Sequence, residues 1–147
     1  MTGNVPSVPA FFLTLLLFGW AAPAHAEAWD TLRFLQGDWI AEGGGFSLHP
    51  ELDGRILVRR NRSGAHEDLM VIHPAGADYW DNEGHVIHYA LTADGKSAVF
   101  LSRKEPAGPR FRLTYVSTGV DNVSIKFEIA QPGKAFQTYV EGKARRK

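Results

Sequence analysis

Apolar and polar side chains alternate with a period of two along most of this chain. Phe111, Leu113 and Tyr115 alternate with Arg110, Arg112 and Thr114. Val123, Ile125, Phe127 and Ile129 alternate with Ser124, Lys126 and Glu128. Leu69, Val71 and His73 share a face, as do His85, Ile87, Tyr89 and Leu91, and Phe136, Thr138 and Val140 share one in the last segment. Such alternation buries one set of side chains and leaves the other in water, as a β-strand does. One stretch departs from it. Trp29, Leu32 and Phe34-Leu35 recur at helical spacing within Glu27–Gln36, and Gly37 can stop the turn, so a short helix is predicted there.

Turn signals punctuate the alternation: Gly43-Gly44-Gly45, Asp53-Gly54, Ser63-Gly64, Pro74-Ala75-Gly76, Asn82-Glu83-Gly84, Asp94-Gly95, Pro106-Ala107-Gly108-Pro109, Asp121-Asn122 and Pro132-Gly133. Glycine and asparagine supply the positive φ that tight hairpins need. Strands are expected to start near Trp39, Phe46, Arg55, Glu67, Ala77, His85, Ala98, Arg110, Val123 and Ala135. Short strands joined by hairpins form an antiparallel meander. The fold expected is all-β: about ten strands in an up-and-down barrel, closed so that no edge is left open. A two-sheet sandwich is the alternative packing.

Residues 1–26 follow another pattern. They contain no Lys, Arg, Asp or Glu, and Phe11–Trp20 is an apolar run of signal-peptide length, too short to span a bilayer. Ala24-His25-Ala26 after Pro23 fits a signal-peptidase site. The expected organisation is a signal peptide over 1–26 and one barrel domain over 27–147, with no stable membrane anchor after cleavage.

Composition narrows the function. Hydrophobic residues make up 44% and charged residues 22%, which is ordinary for a globular domain. Lys plus Arg is 16 and Asp plus Glu is 16, so there is no basic excess to hold nucleic acid. The absence of cysteine excludes disulfides, thiolate metal sites and Cys nucleophiles. An exported chain without cysteine suits the bacterial periplasm, where disulfides are optional, so a periplasmic or secreted location is expected.

The segment Phe34-Leu35-Gln36-Gly37-Asp38-Trp39-Ile40-Ala41-Glu42-Gly43 resembles the opening of calycin-like barrels, where a Gly-x-Trp at the start of the first strand packs across the closed end. Leu52-Asp53-Gly54-Arg55 and Tyr79-Trp80-Asp81-Asn82-Glu83-Gly84 are similar to turns of small bacterial lipocalin-like proteins of unknown function. Nitrobindin-like haem barrels begin with a similar Gly-x-Trp-x-Gly-x-Gly. This chain has Gly37, Trp39 and Gly43 but Ala41 at the middle glycine. The resemblance implies a calycin-like barrel able to hold a small ligand.

Several side chains suit a lumen of that kind. Of Arg59, Arg60 and Arg62, alternation sends Arg59 to one face and the other two to the opposite one. A buried arginine needs a partner: a ligand carboxylate or phosphate, or Glu67 or Asp68 on the next strand. Tyr89, Tyr115, Tyr139 and Trp80 have an apolar body and a polar tip, the usual lining of a small-molecule pocket. His73 ends an apolar stripe and His88 sits beside the small Val86 and Ala90, so either could be an axial haem ligand. His85-x-x-His88 places its two rings on opposite strand faces, so no metal site is expected from it. Asp78, Asp81 and Glu83 match no calcium loop and read as solvated turn residues. No Gly-x-Ser-x-Gly or phosphate-binding loop occurs. No catalytic residues are therefore assigned, and enzymatic activity is not expected.

The expected function is an exported barrel, monomeric or dimeric, that holds a lipid or fatty-acid-like molecule. Arg59, His73, Trp80, His88, Tyr89 and Tyr115 would be its binding residues. The alternatives are a haem or tetrapyrrole barrel using His73 or His88, a hydrolase or isomerase on the same barrel with a buried carboxylate or histidine in the cavity, and a packed barrel that binds another protein. The packed barrel predicts a filled interior and an exposed apolar patch outside.

Overall fold

The structure is a computed structural model and describes residues 29–147. The signal-peptide reading of residues 1–26 lies outside the described residues. Ten strands follow one another: β1 (Gly37–Ala41), β2 (Gly44–Glu51), β3 (Ile56–Ser63), β4 (His66–His73), β5 (Gly76–Asp81), β6 (Val86–Ala93), β7 (Ser97–Ser102), β8 (Arg110–Gly119), β9 (Asn122–Ala130) and β10 (Gln137–Arg146). Each pairs antiparallel with the next, and β10 returns to β1, so the sheet closes into a barrel. β4 and β9 stand opposite each other across it.

The inner face carries the apolar set that alternation predicts on β8 and β9. Across the lumen runs a chain of aromatic contacts. Trp39 lies 5.8 Å from Phe46, Phe46 lies 5.5 Å from Tyr115, and Tyr115 lies 6.2 Å from Phe100. Phe100 in turn meets Tyr89 at 6.1 Å, and Tyr89 meets Tyr79 at 6.4 Å. Leu48, Leu57, Met70, Ile72, Phe100 and Tyr115 are all 0% exposed. A void large enough for water beside any of them would leave it some accessible surface. The lumen around them is therefore packed.

One end of the barrel is closed by residues 29–35. The predicted helix over Glu27–Gln36 is instead a 3₁₀ turn, Asp30–Leu35. Three residues per turn place Trp29, Leu32 and Leu35 on one face, and all three are buried against the barrel. Trp29 Nε1 donates to the Gly54 carbonyl at 2.7 Å and Trp39 Nε1 to the Leu35 carbonyl at 2.9 Å. Arg146 lies over the Trp39 ring at 4.3 Å and donates to the carbonyls of Gln36 and, at 3.1 Å, Phe34. The basic residues Lys143–Arg146 thus complete β10, and Arg146 clamps the closed end. Gly37 makes room for the clamp. Its φ is +122°, and a Cβ there would lie 2.6 Å from Arg146 Nη1.

Candidate functional site

Towards the open end, the inner wall of β3–β5 turns polar. Arg59 alternates with Leu57 and Asn61 and points inward, and Asp68 faces it from β4, opposite Asn61. Arg59 and Asp68 form an ion pair with side chains 7% and 5% exposed. The guanidinium lies beside the contacting rings of Phe46 and Tyr115, 5.5 and 5.9 Å from their centroids. Asn61 Nδ2 donates to the other Asp68 oxygen at 2.8 Å. The ion pair and the Asn61 hydrogen bond offset the burial of this charge, although Arg59 Nε has no hydrogen-bond partner among the described residues. Arg59 therefore takes the second of the two roles open to it, with Asp68 rather than Glu67 as its partner. Burial pushes the Tyr115 hydroxyl pKa up, and that hydroxyl finds no hydrogen-bond partner among the described residues.

Further out along the same wall lies a second polar group. His66 Nε2 is 3.2 Å from Asp68 Oδ2 and 3.3 Å from the Tyr79 hydroxyl. The Tyr79 hydroxyl donates to Asp81 Oδ2 at 3.2 Å. Asp81 Oδ1 accepts the backbone N–H groups of Glu83 and His85 at 3.0 and 2.9 Å, which shapes the β5–β6 turn. Burial works to raise the Asp81 pKa, but these N–H donors, the His85 imidazole and the Tyr79 hydroxyl outweigh it and hold the carboxyl below its ordinary range. Asp81 is thus a buried, fully bonded carboxylate, not the solvated turn residue expected from sequence.

The outer face of β1–β5 carries a shallow trough of about 760 Å³. Its floor is the backbone of the directly paired, inward-pointing residues Trp39, Phe46, Asn61, Asp68 and Asp81. Two rows of outward side chains wall it. One row runs Asp38, Ser47, Arg60, Leu69, Trp80, and the other runs Ile40, Gly45, Arg62, Glu67, Asn82. Five strands at the usual spacing make the trough about 19 Å long. Leu69, Trp80 and Val86 are successive cross-strand partners, with Trp80 40% and Val86 55% exposed. They form an apolar patch at one end. Gly45 opens the other end, where a Cβ would come within 2.2 Å of the Trp39 carbonyl oxygen.

The expected binding residues separate into three places. Arg59, Tyr89 and Tyr115 are inside, as part of the packed core. Trp80 is outside, in the trough. His73 and His88 are also outside, which corrects the expectation that either faces the lumen. His88 Nδ1 lies 2.6 Å from Asp78 Oδ1, and His73 Nε2 lies 3.3 Å from Asp78 Oδ2. The His88 hydrogen bond, with smaller help from His73, holds the Asp78 carboxyl below its ordinary pKa against a modest burial effect. The reason for the miss is β4. Leu69-Met70-Val71-Ile72 is apolar on both faces, so alternation there does not reveal which face is inner. The inner set is Asp68, Met70 and Ile72. Sequence reasoning also passed over His66, Asp68, Tyr79 and Asp81 as a group. The signal was present in two same-face pairs, His66-x-Asp68 and Tyr79-x-Asp81, on strands joined by one short turn.

No protein-family model matches this chain, and no curated protein matches it. Among solved structures it is similar to the crystal structure of Treponema pallidum Tp0751 (pallilysin), at 15% sequence identity and a TM-score of 0.39. That match covers 79% of this chain and 80% of the other. The likeness is too distant to carry anything about function.

Proposed function

We propose that this chain is an exported interaction module: a filled barrel that recognises another protein through the outer trough on β1–β5. The observation that carries this reading is the packed lumen. Aromatic and aliphatic side chains with no accessible surface occupy the space that a lipid-like ligand or haem would need. His73 and His88 are engaged with Asp78 on the outer surface, away from any enclosed apolar pocket. The trough is open and amphipathic. Trp80 and Leu69 offer an apolar anchor point, and Arg60, Asn82 and Ser47 line it with polar groups. An exposed tryptophan inside a polar rim is the composition of a protein-binding hot spot. Export rests on the apolar run and the Ala24-His25-Ala26 site before residue 27.

Photo-crosslinking in the native host tests the reading. A crosslinking side chain at Trp80 should give a discrete protein adduct. The same group at Val120, which is 92% exposed at the closed end, should not. With the purified partner, Trp80→Ala should weaken binding by about 2 kcal/mol or more, roughly thirtyfold. Equal adducts at both positions, or none at Trp80, would remove the trough as the binding surface.

A further inference from the structure

We propose that the first half of β10 is a docking edge for an extended segment of another protein, which adds to the barrel as a strand in line with β1. The surface is separate from the trough and does not depend on it. β1 is 5 residues long and β10 is 10. β1 therefore covers only Ala144, Arg145 and Arg146. On that side Gln137–Gly142 have no strand partner among the described residues. The barrel is closed at one end and stepped at the other.

The direction of the backbone groups shows what the step lacks. Arg146 N–H donates to the Asp121 carbonyl, on the β9 side, at 2.9 Å. Lys147 N–H donates to the Asp38 carbonyl, on the β1 side, at 2.9 Å. Strand groups alternate, so those of Arg145, Lys143 and Glu141 also turn to the β1 side. β1 ends at Ala41, opposite Ala144, so the Glu141 N–H and C=O lie beyond its reach. An unpaired row of this kind is a template for one more strand.

The side chains beside it specify the guest. Ala144 is buried in the core, and alternation puts Gly142 and Val140 on that same inner face. Their partners on β9 are Ile125 and Phe127, which pack against the core. Phe127 stacks on Phe111 at 6.0 Å and meets the Tyr139 ring at 6.2 Å. Yet Val140 is 56% exposed, because no strand stands beside it. A Cβ on Gly142 would meet nothing within 4 Å, which leaves a recess on the inner face. Glu141 and Lys143 stand on the outer face. The segment that fits is amphipathic with a period of two: apolar side chains inward, over Val140 and the Gly142 recess, and polar ones outward.

A second copy of this chain fits worse. A two-fold pairing about Glu141 sets that carboxylate directly against its own copy, and like charges so placed are destabilising. Pairing about Val140 sets Glu141 against Tyr139, which bulges out of register between Thr138 and Val140. A bulge and a charge are the usual guards against edge-to-edge self-association. Neither opposes a foreign strand whose outward residue beside Glu141 is neutral or basic.

Photo-crosslinking of the full chain in its native host tests this, with the crosslinking side chain at Val140 and the Val120 position as control. Val140 should give a discrete protein adduct whose attached peptide, sequenced by mass spectrometry, alternates apolar and polar residues. Glu141→Pro removes the outward N–H and spares the β9 ladder, as proline does on an edge strand. It should cut the adduct about tenfold, and Glu141→Ala, which keeps the N–H, should cut it less. Gly142→Leu fills the recess and should also lower the yield. Open space around Gly142 accommodates that side chain, so this variant carries the test if circular dichroism shows Glu141→Pro unfolded. No adduct above the Val120 background, or one formed with a second copy of this chain, overturns the proposal. So does an adduct that persists in Glu141→Pro and Gly142→Leu but is lost in Trp80→Ala, which would assign it to the trough.

Discussion

Removing the Asp68 carboxylate leaves Arg59 charged, buried and packed beside two aromatic rings. Asp68→Ala should therefore cost about 3–5 kcal/mol of folding stability. The double change Arg59→Met with Asp68→Leu should cost less than either single one, because the desolvation penalty goes with the pair. Urea denaturation of the four-member cycle checks this, and additive losses would contradict it. The tyrosines make a second prediction. Burial raises the pKa of Tyr89 and of Tyr115 above the ordinary value of 10.0. Below pH 10 both states hold the proton and pH has no effect through these groups. Above it the unfolded chain ionises first, so stability should fall as pH rises past about 10. Tyr89→Phe should reduce that slope in an alkaline denaturation series. At this scale the sequence was legible in part. Arg59 stood out because its neighbours alternate, and Asp68 was one of two foreseeable partners. The grouping of His66, Tyr79 and Asp81 was legible only as two same-face pairs, His66-x-Asp68 and Tyr79-x-Asp81, because their meeting depends on cross-strand register.

Elements are held by contacts that single strands do not reveal. The closed end depends on Arg146, whose guanidinium stacks on Trp39 and binds two carbonyls of residues 34–36. Arg146→Ala should expose Asp30–Leu35 to faster hydrogen exchange and cost about 1–3 kcal/mol, while the amides of β4 and β5 exchange as before. Uniform acceleration across the barrel would show that the clamp is not local. Gly76 opens β5 with φ +143°, and a Cβ there would sit 2.3 Å from the Tyr89 carbonyl oxygen. Gly76→Ala should destabilise by about 1–3 kcal/mol, read as a lower urea midpoint. Ten strands and their approximate starts were readable from alternation and turn residues. The inner face was readable on β8 and β9, where Arg110, Arg112 and Thr114, and Ser124, Lys126 and Glu128, mark the outer one. It was hidden on β4, where Leu69-Met70-Val71-Ile72 offers either face to the core. The 3₁₀ turn read as a helix because a three-residue and a 3.6-residue period cannot be told apart over two turns.

For the whole molecule, the sheet closes through β1 and β10, and its packed lumen is the ground for the proposal that recognition lies outside. Charge at the surface follows the same logic. Glu128 lies beneath Arg112, which donates to both its oxygens at 2.7 and 2.9 Å. That bidentate pair, opposed by partial burial, holds the Glu128 carboxyl below its ordinary 4.5. Its contribution is present above that value and is lost as pH falls towards the folded-state pKa. Glu128→Gln should flatten the acid limb of the stability profile below about pH 4.5. Whether a barrel is hollow is not written in the alternation of its strands, since an inward tyrosine lines a pocket and fills a core equally well. Only the meeting of Trp39, Phe46, Tyr115, Phe100 and Tyr89 across the lumen decides it. A native mass spectrum of the chain purified from its own host tests this most directly. The account predicts a mass with no lipid, fatty acid or tetrapyrrole bound. A stoichiometric adduct of any of these, retained under gentle ionisation, would contradict the filled barrel and return recognition to the lumen.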